Sequence, residues 1–195
     1  MPSVVPELRV VANLTLDPKR LEELREMGFT AANVTPSKGI FRGTSALVGL
    51  GSGSPNRAVL RSDTAQHLAL EVPGGDAYPN SLMGVIAVIR QTFMDARHYA
   101  LDWKHYDGHS SSRRQPEFNA ALAALVAHGE RKLPTVVEVG SALMVERAGE
   151  IAREFGLSLQ IVSSGQEWRR PDLVKRAAVP FIVPLAIPAL PKFPS

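Results

Sequence analysis

The sequence predicts an α/β protein: a parallel sheet covered by helices. Three observations carry that expectation. Segments with helical spacing alternate with short apolar runs. Those runs are apolar on both faces instead of alternating, as strands buried between two layers are. The helices also carry start and stop residues that hand the chain back to a strand. The chain has 195 residues, 45% apolar and 21% charged, a globular composition able to bury a core in one domain over 1–195.

The first unit opens at Asp17-Pro18, where a carboxylate can accept an orphan amide and proline supplies the first helical φ. Leu21, Leu24 and Met27 share a face, Gly28 ends the helix, and Phe29 to Val34 reads as the strand that follows. Residues 35–79 differ: they are rich in glycine and serine, with only short β-like pieces at 58–60 and 67–72. They read as a loop-rich excursion or small β-ribbon, where a lid or site wall sits in many proteins. The strongest helix runs from Ser81 to about Tyr106, capped by Asn80 or Ser81. On it Leu82, Val85 or Ile86, Ile89, Phe93, Ala96 and Ala100 recur every three to four residues. A polar loop covers 107–114, and a second helix covers 116–128. Leu143 to Phe155 is a helix closed by Gly156, with a strand at 157–162; a shorter helix at 172–178 feeds a strand at 179–185. Pro184 and Pro188 cannot donate to a ladder, so the chain leaves the sheet there as a Pro-rich tail, 186–195. Roughly five or six βα units are legible, short of a closed (β/α)8 barrel, which takes about 250 residues. Either an open sheet or a piece of a barrel satisfies that count.

Composition excludes several functions. With no cysteine there is no disulfide, thiolate metal site or Cys nucleophile, and the redox compartment stays open. The 22 basic residues against 19 acidic ones are scattered as pairs such as Arg113-Arg114 and Arg169-Arg170, which argues against nucleic acid as a partner. No apolar run reaches the roughly 18 residues of a membrane helix, and Met1-Pro2-Ser3 does not open a signal peptide. The expectation is a soluble protein without a membrane partner, cytoplasmic before exported.

Three runs decide between open sheet and barrel: Gly28-Phe29-Thr30-Ala31-Ala32; Pro36-Ser37-Lys38-Gly39-Ile40-Phe41-Arg42-Gly43-Thr44-Ser45-Ala46-Leu47-Val48; and Tyr78-Pro79-Asn80-Ser81-Leu82-Met83-Gly84. Together with Val136 to Ser164, and in this order, they resemble the amidohydrolase superfamily, in particular the imidazolonepropionase-like metal-dependent hydrolases of bacteria. The resemblance covers about residues 10 to 185 and implies an incomplete TIM-type (β/α) barrel segment with parallel strands. It further implies a divalent metal such as zinc at the C-terminal strand ends, whose bound hydroxide attacks an amide or related C–N bond. The family's ligands are a His-x-His pair on the first strand, one histidine on each of two middle strands and an aspartate on the last. This sequence has no His-x-His, and the middle positions fall near Glu138 or Val139 and near Ser163 to Gly165, without a histidine. The resemblance begins downstream of the family's first strand and stops before its last. The expectation is therefore no metal or other cofactor held by this chain's own residues.

Among the five histidines, only His105 and His109, around Asp107, have ligand-like spacing, and Gly108 argues against a helix that would align them. His67 and His128 have no partner visible in sequence and read as surface or partly buried structural residues. Glu138 is a charge inside the apolar run 136–139. It is either a cation ligand or proton acceptor at the strand mouth, or one half of a salt bridge to a neighbouring strand or to Lys132. Ser163, Ser164 and Gln166 lie where a strand turns into a helix, a place for a small anionic ligand or a plain turn. Lys38 and Arg42 sit in glycine-loosened segments matching no phosphate loop; they either line a site for an acidic substrate or solvate the loop. Three functions remain. The chain is an amidohydrolase-like segment related to hydrolases of non-peptide C–N bonds, with an incomplete metal site. It is a non-catalytic module that pairs with the remainder of a barrel or binds a small ligand. Or it is an open α/β enzyme using Glu138 as a base. Edge strands left unpaired predict self-association.

Overall fold

The computed structural model describes residues 3–51, 55–74, 78–110 and 114–185. Its strands are β1 Ala31–Val34, β2 Phe41–Thr44, β3 Ala46–Gly49, β4 Val59–Arg61, β5 Gln66–Ala69, β6 Thr135–Glu138, β7 Leu159–Val162 and β8 Phe181–Ile182. Its helices are α1 Pro18–Glu26, α2 Pro55–Ala58, α3 Leu82–Gly108, α4 Ala120–Glu130, α5 Ala142–Phe155 and α6 Pro171–Ala177.

The main sheet has the order β2-β5-β6-β7-β8, with β5 to β8 parallel and β2 antiparallel to β5. Parallel neighbours need crossovers, and three supply them: α3 with α4 between β5 and β6, α5 between β6 and β7, and α6 between β7 and β8. The sheet does not close into a barrel among the described residues. A second, three-stranded antiparallel sheet has the order β1-β3-β4.

Side chains alternate across each strand, so Leu68, Leu70, Val137, Val139, Leu159 and Ile161 point to one face and His67, Ala69, Val136 and Glu138 to the other. The first face is the core, covered by Val85, Ile89, Phe93 and Ala96 of α3 and by Val145, Ala148, Ile151, Ala152 and Phe155 of α5. Phe93 links the layers: its ring meets Phe41 edge-on at 5.3 Å and stacks on Phe155 at 5.0 Å. Burial of a side chain this size contributes on the order of 2 kcal/mol relative to exposure. The helix register follows from the sequence: Val85 rather than Ile86 enters the core, the Ser81 side chain accepts from the Gly84 amide, and α5 ends on Gly156 at φ 68°.

Several expectations are revised. The strand after α1 exists, but it joins the antiparallel sheet, pairing Ala31 with Gly49 and Val34 with Ala46. α1 buries no residue fully, and Met27 is 59% exposed. The stretch 35–79 supplies β2 and β5 to the main sheet; only β3 and β4 form the ribbon with β1. The reason is local. β2 is bulged and so lost its alternating signature, while the chain segment 4–9 lies along its outer edge, with the Val5 amide donating to the Phe41 carbonyl (3.0 Å) and the Thr44 amide to the Leu8 carbonyl (2.8 Å). That approach is possible because residue 43 is glycine: a Cβ there would stand 2.1 Å from the Leu8 carbonyl oxygen, at φ +95°. α3 runs two residues past Tyr106 into the segment expected as loop, and the last strand ends at Ile182 instead of Leu185. The Pro-rich tail 186–195 lies outside the described residues. No described helix is long and apolar enough to cross a membrane.

Candidate functional site

The site is built where the parallel strands end. Phe41 pairs with Leu68 and Gly43 with His67, which leaves Arg42 as the extra residue of a bulge. With Phe41 in the core, the Arg42 side chain turns to the opposite face, where Glu138 closes β6. Its guanidinium is held at three points: Nε donates to the Gly39 carbonyl (3.0 Å), Nη1 to Glu138 Oε2, and Nη2 to Glu71 Oε2 (3.3 Å). The Arg42 side chain is 8% exposed, while those of Glu138 and Glu71 are 50% and 71% exposed. A fixed, buried cation is thus neutralised by two carboxylates that remain in contact with water.

Glu138 does form a salt bridge, but its partner is neither on a neighbouring strand nor Lys132: it is Arg42 of β2, which lies beyond β5 in the sheet. Arg42 itself is a buried strand residue and not a solvated loop residue.

His67 stands on the same face, buried, and its Nε2 lies 2.8 Å from the Ser45 hydroxyl. The chain continues from Ser45 to Thr64 (2.7 Å) and from Thr64 to Asn33 Oδ1 (2.9 Å). Proton counting fixes its direction. Asn33 Oδ1 only accepts, so Thr64 donates to it and accepts from Ser45; Ser45, having spent its one proton, accepts from His67. His67 is then the neutral tautomer protonated at Nε2, with its Nδ1 lone pair free to accept. Burial, reinforced by the Arg42 charge and opposed by Glu138, lowers its pKa from 6.5 to about 4. His67 and His128 are therefore both buried, beyond the expected surface or partly buried placement, and each has a partner that the sequence does not display: His128 Nε2 meets the Thr135 hydroxyl at 3.1 Å. A histidine flanked by polar Gln66 inside an otherwise apolar strand was the available signal for His67.

The turn after β7 lies at the same end of the sheet, but its donors are already used. The Ser164 amide and hydroxyl donate to Glu167 Oε1 (2.8 and 2.9 Å), and the Ser163 hydroxyl donates to Glu167 Oε2. Burial pushes the Glu167 carboxyl up, but these bonds outweigh it and hold the group below the ordinary carboxylate range. Gln166 is exposed, as is Lys38 in the turn before β2. At the far end of α3, His105 lies in the last turn and His109 caps it, its Nδ1 3.4 Å from the His105 carbonyl. No group of three or more ligating side chains able to hold a metal exists among the described residues.

No family model and no curated protein matches the chain. Among solved structures, an amidohydrolase from Thermotoga maritima MSB8 is similar, with a TM-score of 0.76 and 17% identity over 94% of this chain and 49% of that one. The chain therefore spans about half the length of that protein, and over that half it has an amidohydrolase-like α/β fold with parallel strands.

Proposed function

We propose that the chain is an imidazolonepropionase-like segment of an amidohydrolase barrel, related to hydrolases of non-peptide C–N bonds, whose strand mouth binds a small polar ligand without a complete metal centre. The observation that carries this reading is the commitment of Glu138. The resemblance implies a metal ligand near Glu138 or Val139 on one middle strand; of the two only Glu138 could ligate, and it is spent on Arg42. In the other stretch, Ser163 to Gly165, both serines are spent on Glu167. A hydrolytic centre takes about three protein ligands and an open water position, and this donor set does not fit one. The groups left for a ligand are acceptors, Glu138 and His67 Nδ1, beside an Arg42 and a Ser163-Ser164 turn that are already committed; Gln166 and Lys38 are exposed and complete the candidate binding set.

The test is a panel of imidazolone, hydantoin and dipeptide-like amides with added zinc or manganese, run on the protein and on Glu138→Ala. No turnover in either is expected. Metal-dependent turnover abolished by Glu138→Ala would make Glu138 a ligand or base and overturn the proposal.

A second reading, a non-catalytic module completed by another chain, is favoured by β8, which has β7 on one side and no described strand on the other. On that reading the partner is a second copy or the remainder of a barrel, and sedimentation at low micromolar concentration shows a dimer or a complex. A stable monomer whose oligomeric state ignores substitution of Ile182 by lysine would sink it.

A further inference from the structure

The strand mouth carries more acceptors than its own donors use. His67, Ala69 and Glu71 alternate along β5 and its extension, Glu138 stands across from Ala69 on β6, and Arg42 reaches over from β2. The Arg42 guanidinium holds the two carboxylates as a pair, Glu138 on Nη1 and Glu71 on Nη2, each through its Oε2. One planar group thus sets their spacing, and each Oε1 is left without a partner among the described residues. His67 is 7% exposed, yet no described group bonds its Nδ1, and that atom, unlike Nδ1 of His128, is not enclosed. The hydrogen-bond chain through Ser45 and Thr64 to Asn33 keeps the His67 proton on Nε2 and so keeps Nδ1 an acceptor.

The charges in this cluster do not cancel. One guanidinium faces two carboxylates, and the His67 ring, kept from protonation by its burial and by Arg42, adds no charge at neutral pH. One negative charge is left in excess, on carboxylates that water reaches. Arg42 engages all three of its nitrogens within the chain, and the serines of the turn after β7 are committed to Glu167. The acceptors form no group able to hold a metal ion among the described residues, so a counter-charge that joins them needs extent and N–H donors of its own.

We propose that the strand mouth binds a small planar organic cation carrying several N–H donors, an amidinium or a guanidinium. This rests on the reading of the mouth as a ligand site without a metal centre, and names the class of its ligand. Such a cation supplies the missing positive charge and offers charge-assisted hydrogen bonds to the free carboxylate oxygens, with a further N–H for His67 Nδ1. An anion meets two carboxylates and a guanidinium already neutralised. A neutral amide brings donors without the charge, and a quaternary ammonium brings the charge without a donor.

The experiment titrates the full isotope-labelled chain with acetamidinium chloride and reads the His67 and His128 rings and the Arg42 side chain by NMR. Tetramethylammonium, acetamide and acetate are the controls for charge without donors, donors without charge, and the opposite charge. Acetamidinium is expected to shift His67 and Arg42 saturably, with a Kd in the millimolar range, and to leave His128 in place; the controls leave all three unmoved. Glu71→Gln keeps an oxygen for Arg42, removes the excess charge, and weakens acetamidinium about fivefold or more, with unmoved His128 signals showing that the variant is folded. Shifts that never saturate, an equal response to tetramethylammonium, or an affinity unaltered by Glu71→Gln would each overturn the cation site. Saturable binding of acetate or acetamide in place of acetamidinium would overturn it while leaving the mouth a ligand site. Silence of His67 and Arg42 toward all four probes would overturn both.

Discussion

The two ends of the main sheet treat their polar side chains in opposite ways. At the C-terminal ends of the parallel strands a full charge is buried, and Arg42 is tolerated because Glu138, Glu71 and the Gly39 carbonyl all meet its guanidinium. At the other end the buried His128 and Gln66 are neutral and their spare atoms go unmet, while the nearby Asp63, 12% exposed, is paired with Arg9. Each end is therefore vulnerable in its own way. The mouth depends on ion pairs that water already touches, the other end on keeping protons and charges out.

Acid is expected to have the largest effect on the fold, because it attacks both ends. His67 and His128 each have a folded pKa of about 4 against 6.5. Lowered folded values mean that the unfolded chain binds more protons between those limits. The stabilisation is thus complete above about pH 6.5 and is lost as pH falls toward 4, by about 3 kcal/mol for each histidine. Urea unfolding across that window measures it, and replacing either histidine by phenylalanine should remove about half of the slope. An unchanged slope in both variants would show that neither ring is held neutral.

Stripping the mouth of its anions comes next. The double change Glu71→Gln with Glu138→Gln leaves Arg42 buried and uncompensated, for a loss of about 3 kcal/mol. Glu71→Gln alone, at an exposed partner, costs less than about 1 kcal/mol. Equal losses from the single and double variants in urea unfolding would contradict this division. The finest distinction is electrostatic. Arg42→Met removes the cation that helps to depress His67, so the His67 pKa rises while that of His128 stays in place, as followed by NMR titration of both rings. Parallel movement of the two would mean that the ends communicate.

The helical half of this architecture was legible because its signals are local. Asp17-Pro18, Ser81 and Gly156 act within a turn of where they stand, and the α3 and α5 faces repeat at a fixed period. β2 and β5 were not legible as members of the main sheet, since the bulge at Arg42 breaks alternation and their neighbours are chosen by tertiary contacts. The same holds for the site. Glu138 announced itself as a charge in an apolar run, but its partner lies 96 residues away, and His67 meets a serine 22 residues away. No spacing rule reaches across such separations. Glu167 shows the converse: the turn at Ser163 looked open to an anion, and the chain supplies its own carboxylate three and four residues later.

The segment laid along β2 also decides the symmetry of any assembly that uses strand edges. Residues 3–9 occupy the outer side of β2, with the Ser3 carbonyl accepting from the Ile40 and Phe41 amides and the Leu8 carbonyl accepting from Thr44. A sheet with two free edges can add copies head to tail without limit; this one is sealed on one side. Among the described residues β8 is the other edge of this sheet, and a pairing of β8 with β8 would be an isologous contact about a twofold axis. Close passage over Gly43 therefore removes the β2 edge of the main sheet from any edge-to-edge pairing.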